Sequence, residues 1–290
     1  MAALVIIVVF LVGGIFIAFL ILYIQIREES TASIQMFCSD VDGFIAYTTT
    51  LTNPIPSEYD KAVANVLLTT NLNITIANCR DFADDLPLPP GFTTKVALTR
   101  IFGDVERTLG YVFYNDALKT ILVSFTGTFF FSQWQSDLIF FQVPPTQLNN
   151  FEPGIEIHEG FYNIYLSIRD QLLEELKNLE GNNPEQLILS GHSMGGISTI
   201  ATFDLAKITP KPVNYTFASP RIGNIAFANR YNSFKLNTQR VFNTEDVVPD
   251  LPPPVLRNFI YEHVGENIAF TDNLGTLTKN HIDAYEKFVA

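Results

Sequence analysis

The chain has 290 residues and a formal net charge of −12, so it lacks the basic footprint that nucleic-acid phosphates demand. Its length suits one α/β domain. Four scattered histidines and two cysteines offer no metal-ligand spacing, and no glycine-rich phosphate loop or other cofactor signature is present.

A hydrophobic content of 47% and a mean hydropathy of +0.19 are high for a purely soluble protein, and much of the excess sits at one end. Residues 2–24 carry no charge and no strongly polar side chain. A run of about 20 apolar residues matches the hydrocarbon thickness of a bilayer. It is longer than a leader's apolar region and has no basic residue before it. We therefore read a single-pass membrane anchor, with a leader cleaved near Ser30-Thr31-Ala32 as the alternative. Arg27 is the only basic side chain nearby, so orientation is left open. Asn73-Ile74-Thr75 fits the glycan-acceptor pattern and hints at a luminal or extracellular catalytic domain. Asn214-Tyr215-Thr216 fits it too, inside a strand pattern. Cys38 and Cys79 are one disulfide or two thiols, depending on the compartment.

Beyond the anchor, D-K-A-V-A-N-V-L-L-T-T (60–70) reads as an amphipathic helix, and Asp84–Gly91 as a turn-rich connector. Strand-like runs follow at 96–102 and 109–114, and Asn115-Asp116 turns the chain into a third at 119–125. Residues 160–180 have apolar positions at helical spacing, closed by Gly181-Asn182-Asn183-Pro184. Strands at 186–190, 212–218 and 239–243 come next, with a helix over 195–207 between the first two. Strands alternating with helices predict βαβ units and a largely parallel sheet. The expected organisation is an anchor (2–24), a helical or linker segment packed on the catalytic domain (25–95), and an α/β core (96–290).

The run L-I-L-S-G-H-S-M-G-G (187–196) carries the chemistry. A strand that enters Gly191-His192-Ser193-Met194-Gly195 with a helix behind it is the nucleophile elbow of α/β hydrolases. The tight turn strains the serine backbone and leaves no room for side chains at the flanking glycines. Ser193, rather than Ser190, is then the nucleophile, and the amide of Met194 is one oxyanion donor. A serine hydroxyl needs a base, and the base an orienting acid, in the chain order serine, acid, histidine. His263 and His281 are the downstream histidines, while Glu245, Asp246 and Asp250 are the acids. Spacing does not choose among them.

Eight pieces in order make the chain resemble the class 3 lipases, the family of filamentous-fungal triacylglycerol lipases and many plant relatives. They are S-F-T-G-T (124–128), Q-W-Q-S-D-L (133–138), I-H-E-G-F-Y (157–162), G-H-S-M-G-G (191–196), F-A-S-P-R-I-G-N-I-A-F-A (217–228), V-F-N-T-E-D-V-V-P-D-L-P-P (241–253), Y-E-H-V-G-E (261–266) and N-H-I-D-A-Y (280–285). The resemblance implies an α/β-hydrolase fold and makes Asp246 the acid, His281 the base and Thr128 the second oxyanion donor. It places His263 on a strand near the site. Thr126 stands where the family often carries Arg, and Asn280 where Asp often precedes the histidine.

The resemblance also makes Phe129, Phe130, Phe131 and Trp134 part of a lid over Ser193, with His158 as a structural or cleft-wall residue. The expected partners are a lipid ester and a membrane, with no obligate protein partner evident. The expected activity is acylglycerol hydrolysis. A phospholipase, a galactolipase, a small-ester carboxylesterase and a non-catalytic lipid-binding domain are the alternatives.

Overall fold

The computed structural model describes residues 43–80, 86–102, 105–127 and 141–290. The expected anchor at 2–24, Cys38, Thr128 and the aromatic run 129–134 lie outside the described residues, as does the side chain of Cys79. Among the described residues, no helix is long and apolar enough to cross a membrane.

Seven strands form the central sheet: β1 (Thr93–Phe102), β2 (Val105–Asn115), β3 (Thr120–Phe125), β6 (Gln186–His192), β7 (Pro212–Phe217), β8 (Thr238–Asn243) and β11 (Glu266–Phe270). Two-residue strands β4 (Gln142–Val143) and β5 (Ile157–His158) pair beside it, as do β9 (Val255–Leu256) and β10 (Phe259–Ile260). The order is β1-β2-β3-β6-β7-β8-β11, antiparallel through β3 and parallel from β3 onward. The carboxyl ends of β3, β6, β7 and β8 therefore share one edge, where open α/β sheets place their sites.

Helices α1 (Lys61–Arg80), α2 (Glu159–Leu179), α3 (Ile197–Asp204), α4 (Ile225–Ser233), α5 (Leu277–His281) and α6 (Asp283–Val289) accompany it. Every residue of β3 and β6 is buried, because both sheet faces are covered. Such strands read as continuous apolar runs rather than alternating ones. Leu187 and Leu189 enter the core beneath α2, α3 and α4, while Ile188 enters the other core with α1 and α6. On α2, Phe161, Ile164, Tyr165, Ile168, Leu172, Leu176 and Leu179 form the buried stripe that the 3.6-residue period requires. The helix stops where Asn183 takes a left-handed φ of 51°. Asp204, 1% exposed, accepts hydrogen bonds from Arg169 Nε (2.7 Å) and Tyr165 OH (2.9 Å), which ties the end of α3 to α2.

Helix α1 departs from expectation. It has no solvent-facing side over most of its length, since every residue from Val63 to Ala77 is buried. Its apolar side lies on the sheet with Leu122 and Ile188, and residues 45–49 run along its polar side. Asn65 accepts from the hydroxyls of Thr48 and Thr49, and Asn73 bonds both the amide and the carbonyl of Ile45 at 2.8 and 2.9 Å. Buried polar side chains satisfied in this way carry little desolvation cost. This overturns the glycan reading of Asn73, which is fully buried and committed to Ile45. Asn214 is equally buried in β7.

Asn71 of α1 also explains the first serine of the run 187–196, Ser190. Its amide donates to Ser124 Oγ (2.6 Å) and the Ser190 carbonyl (3.2 Å), and its Oδ1 accepts from Ser190 Oγ (2.8 Å). Ser190 fastens the helix to β6.

On α6, Glu286 is pushed up from 4.5 to about 7, by burial first and by nearby Asp283 second. The folded state keeps this proton where the unfolded chain has lost it, so the penalty on stability grows between pH 4.5 and about 7 and is constant above. Glu286→Gln is expected to raise stability at pH 8 by about 2 kcal/mol, the shift roughly halved for the side chain's solvent contact. At pH 4 the two proteins should melt together. Melting curves across that range check it.

Candidate active site

The elbow is present as a geometric feature. His192 closes β6 in extended conformation, and Ser193 then takes a φ of 57° as the chain enters a 3₁₀ turn, Ser193–Gly196, that leads into α3. A non-glycine residue in the left-handed region costs on the order of 1 kcal/mol or more and persists only where its surroundings enforce it. The glycines make that possible. A Cβ at Gly191 would fall on the Gly195 carbonyl, and one at Gly195 would press on the carbonyl oxygens of Phe125 and Thr126, each at 3.3 Å. Ser193 is 6% exposed. Met194 lies in the first helical turn, where backbone amides have no intrahelical acceptor and are free to meet negative charge.

Among the candidate acids and bases, the structure brings Asp246 and His281 together. Asp246 lies just past β8 and is 3% exposed. Its Oδ2 is 2.7 Å from His281 Nδ1 and accepts from Tyr285 OH at 2.9 Å, while its Oδ1 accepts from the Val248 amide at 3.0 Å. A carboxylate only accepts, so this contact fixes the neutral imidazole as the Nδ1–H tautomer and leaves Nε2 bare. Burial, and then the charge of Asp246, pushes the Tyr285 hydroxyl well above its ordinary value of 10, so it remains a donor.

The other candidates are engaged elsewhere. Glu245 accepts from Asn273, and Asp250, its side chain 76% exposed, lies 3.9 Å from Arg221. His263 Nε2 bonds the Pro249 carbonyl at 2.9 Å. Burial first, then Arg240 and Arg221, depresses His263 to about 3.

Asn280 gives the departure before His281 a physical reason. Its Nδ2 donates to the Glu245 carbonyl (3.0 Å) and its Oδ1 accepts from the Leu274 amide (2.7 Å). Asp at this position would supply no donor for that carbonyl. Asn243 adds a parallel tie, donating to the carbonyls of Asp272 and Asn280. Thr126, where the family often carries Arg, is fully buried with its hydroxyl 3.5 Å from that of Thr75 on α1, and Thr75 Oγ1 also accepts from the Gly127 amide at 3.3 Å. A hydroxyl pair thus occupies this corner.

His158 is fully buried, and its Nδ1 accepts from the Phe161 amide as the N-cap of α2. It exposes no surface to solvent and caps the helix from within.

Three residues near the site escaped the sequence reading of roles: His192, Tyr285 and Asn280. Tyr285 was visible in the spacing H-x-x-x-Y. His192 occupies the variable place of the elbow pentapeptide, and no pattern singles it out.

A seven-stranded, mostly parallel sheet with an elbow and a carboxylate–imidazole pair at one carboxyl edge defines an α/β hydrolase. The family model Lipase (class 3) matches residues 122–256. Over that span the chain is similar to the class 3 lipases, and it is a carboxylic ester hydrolase. It is similar to secreted mono- and diacylglycerol lipase A of Penicillium cyclopium, 27% identical over 265 residues, spanning 89% of this chain and 78% of the relative. Phospholipase A1-Igamma2 of Arabidopsis thaliana, a chloroplastic protein, is 24% identical over 67% of this chain, which spans only 46% of that relative. The solved triacylglyceride lipase of Rhizomucor miehei superimposes with a TM-score of 0.59 at 25% identity, over 74% of this chain and 83% of that one.

Proposed function

We propose that this chain is an acylglycerol lipase that works through an acyl-enzyme. Ser193 Oγ attacks the ester carbonyl while His281 Nε2 takes its proton, and Asp246 holds the imidazole and stabilises its cation. The oxyanion is met by the amide of Met194 and by Thr128. The alcohol leaves with the proton from His281, and water, activated by the same imidazole, releases the fatty acid. Every group in this scheme comes from the chain, the ester and water.

The observation that carries the reading is the 2.7 Å contact between His281 Nδ1 and Asp246 Oδ2, on the same sheet edge as the strained serine. Exposed Phe141, Val255 and Ile260 favour a lipid substrate. Phe141 packs edge-on against Phe259, Gln142 bonds the Ile260 carbonyl and Ile260 pairs with Val255, so these residues adjoin in one exposed apolar patch. The name of the Penicillium relative supports acylglycerols. The membrane anchor at 2–24 and the lid over 129–134 rest on the sequence alone in this reading. Secretion of the Penicillium relative supports release after cleavage as the other fate.

A panel of triacylglycerol, monoacylglycerol, phosphatidylcholine, galactolipid and p-nitrophenyl butyrate tests the substrate. Acylglycerols should be turned over at least about tenfold faster than either polar lipid, in keeping with differential transition-state binding. Preference for phosphatidylcholine would favour the phospholipase reading that the Arabidopsis relative suggests. Turnover of the short ester alone would make the chain a carboxylesterase. No hydrolysis of any member, with no labelling by a fluorophosphonate, would leave a binding domain.

A further inference from the structure

His192 takes no part in the proton transfers above, yet it is 3% exposed, precedes Ser193 in the chain and has its ring 4.8 Å from that of His281. Its Nε2 is 2.7 Å from the backbone carbonyl of His281. A carbonyl only accepts, so the proton sits on Nε2 and Nδ1 is bare. The two imidazole rings lie 4.8 Å apart at 48°, and the Tyr285 ring meets His192 edge-on at 5.9 Å. On its other side, His192 Nδ1 is within 3.5 Å of where a Cβ on Gly127 would lie. The ring thus lies between the loop after β3 and the end of helix α5 that carries His281.

The accepted carbonyl needs a donor for a reason of its own. Helix α5 has five residues and ends at His281, and the last carbonyls of a helix have no intrahelical partner. His192 supplies the donor from a fixed point. It is the last residue of a strand buried at every position, and it is bonded covalently to Ser193. One peptide bond links it to the proposed nucleophile, and one hydrogen bond links it to the backbone of the proposed base.

We propose that His192 is a positioning residue for the hydrolysis: its neutral imidazole, hydrogen-bonded to the His281 carbonyl, sets the distance between the His281 ring and Ser193. The inference rests on the proposed roles of Ser193, Asp246 and His281. Burial first, then neighbouring His281, depresses His192 to about 3, so it carries no charge to oppose the imidazolium that forms beside it.

The test uses His192→Phe, which keeps a planar ring and removes the donor, and His192→Gln, which places an N–H near the Nε2 position. Both are made in the full chain and compared with wild type for hydrolysis of p-nitrophenyl butyrate, rate of fluorophosphonate labelling and melting temperature. His192→Phe should lose about 10²-fold in kcat and labelling rate with KM within about twofold, the scale of a misplaced reacting group. His192→Gln should recover at least about tenfold of that loss. A His192→Phe protein with wild-type kcat, or a Gln variant no faster than Phe, overturns the proposal. If His192→Phe does not fold, nitrogen NMR of wild type decides. Nε2–H with a bare Nδ1 at pH 7 supports the role, and the opposite tautomer or a charged ring refutes it. A wild-type protein that neither hydrolyses nor labels would instead refute the proposed function.

Discussion

Replacing Ser193 with Ala is expected to lower ester hydrolysis by about 10⁵- to 10⁶-fold in kcat, the scale seen when a hydrolase loses the nucleophile of a cooperating triad. The protein should still fold. Alanine at a φ of 57° has a strain similar to that of serine, and Gly191 and Gly195 continue to make the space for the turn. Ser190→Ala is the matched contrast. Its hydroxyl is fully buried and donates to Asn71 at 2.8 Å, so removing it leaves Asn71 Oδ1 without this donor. That variant should lose about 1–3 kcal/mol of stability and keep its kcat. Activity assays and melting curves on the two serine variants check the prediction, and an inactive Ser190→Ala beside an active Ser193→Ala would reverse the assignment.

Asp246→Asn should be nearly as severe, with kcat about 10⁴-fold lower and KM little changed. The reason lies in the three donors around the carboxylate. His281 Nδ1 and Tyr285 OH address Oδ2, and the Val248 amide addresses Oδ1. An asparagine amide placed at the Oδ2 position sets its N–H groups against both of the first two. Flipped, the same group meets the Val248 amide. Either orientation opposes a donor with a donor, and the imidazole is released from the Nδ1–H tautomer that leaves Nε2 free to accept a proton. Tyr285→Phe removes one donor and retains the carboxylate, so it should be far milder. Steady-state kinetics on both variants test this, and an Asp246→Asn enzyme within tenfold of wild type would remove Asp246 from the role.

Much of the fold was legible because its central strands are buried on both faces. The apolar runs at 119–125 and 186–190 have no other home in a chain of this length, and the strands β3 and β6 occupy them. What was less legible had weaker patterns. The edge strand β11, Glu266–Phe270, has no fully buried residue and so no clear period, and β4, β5, β9 and β10 are two residues long. The cap of α4 is a local signal, since Asn224 Oδ1 accepts from the Phe227 amide three residues on. Helix α1 was misread because its polar residues looked like a solvent face. They are instead bonded to residues 45–49 and to the strands, which only the tertiary fold makes apparent.

The candidate site divides in the same way. Local chemistry pointed to Ser193, because a strained turn between glycines leaves a signature within five residues. Choosing Asp246 and His281 needed the family pattern, because the pairing spans 35 residues and other carboxylates and another histidine lie nearby. His192 falls within the family piece G-H-S-M-G-G, but the partner of its ring is a carbonyl 89 residues away, which no local pattern reveals.

The central claim is that the imidazole of His281, oriented by Asp246, activates one hydroxyl, that of Ser193. Mass-spectrometric mapping of a fluorophosphonate adduct tests it most directly, with wild type and His281→Ala treated side by side. The predicted result is a single adduct, on the peptide containing Ser193, at a rate that collapses in His281→Ala. An adduct on Ser190 or another residue, or undiminished labelling of Ser193 without the imidazole, would contradict the account.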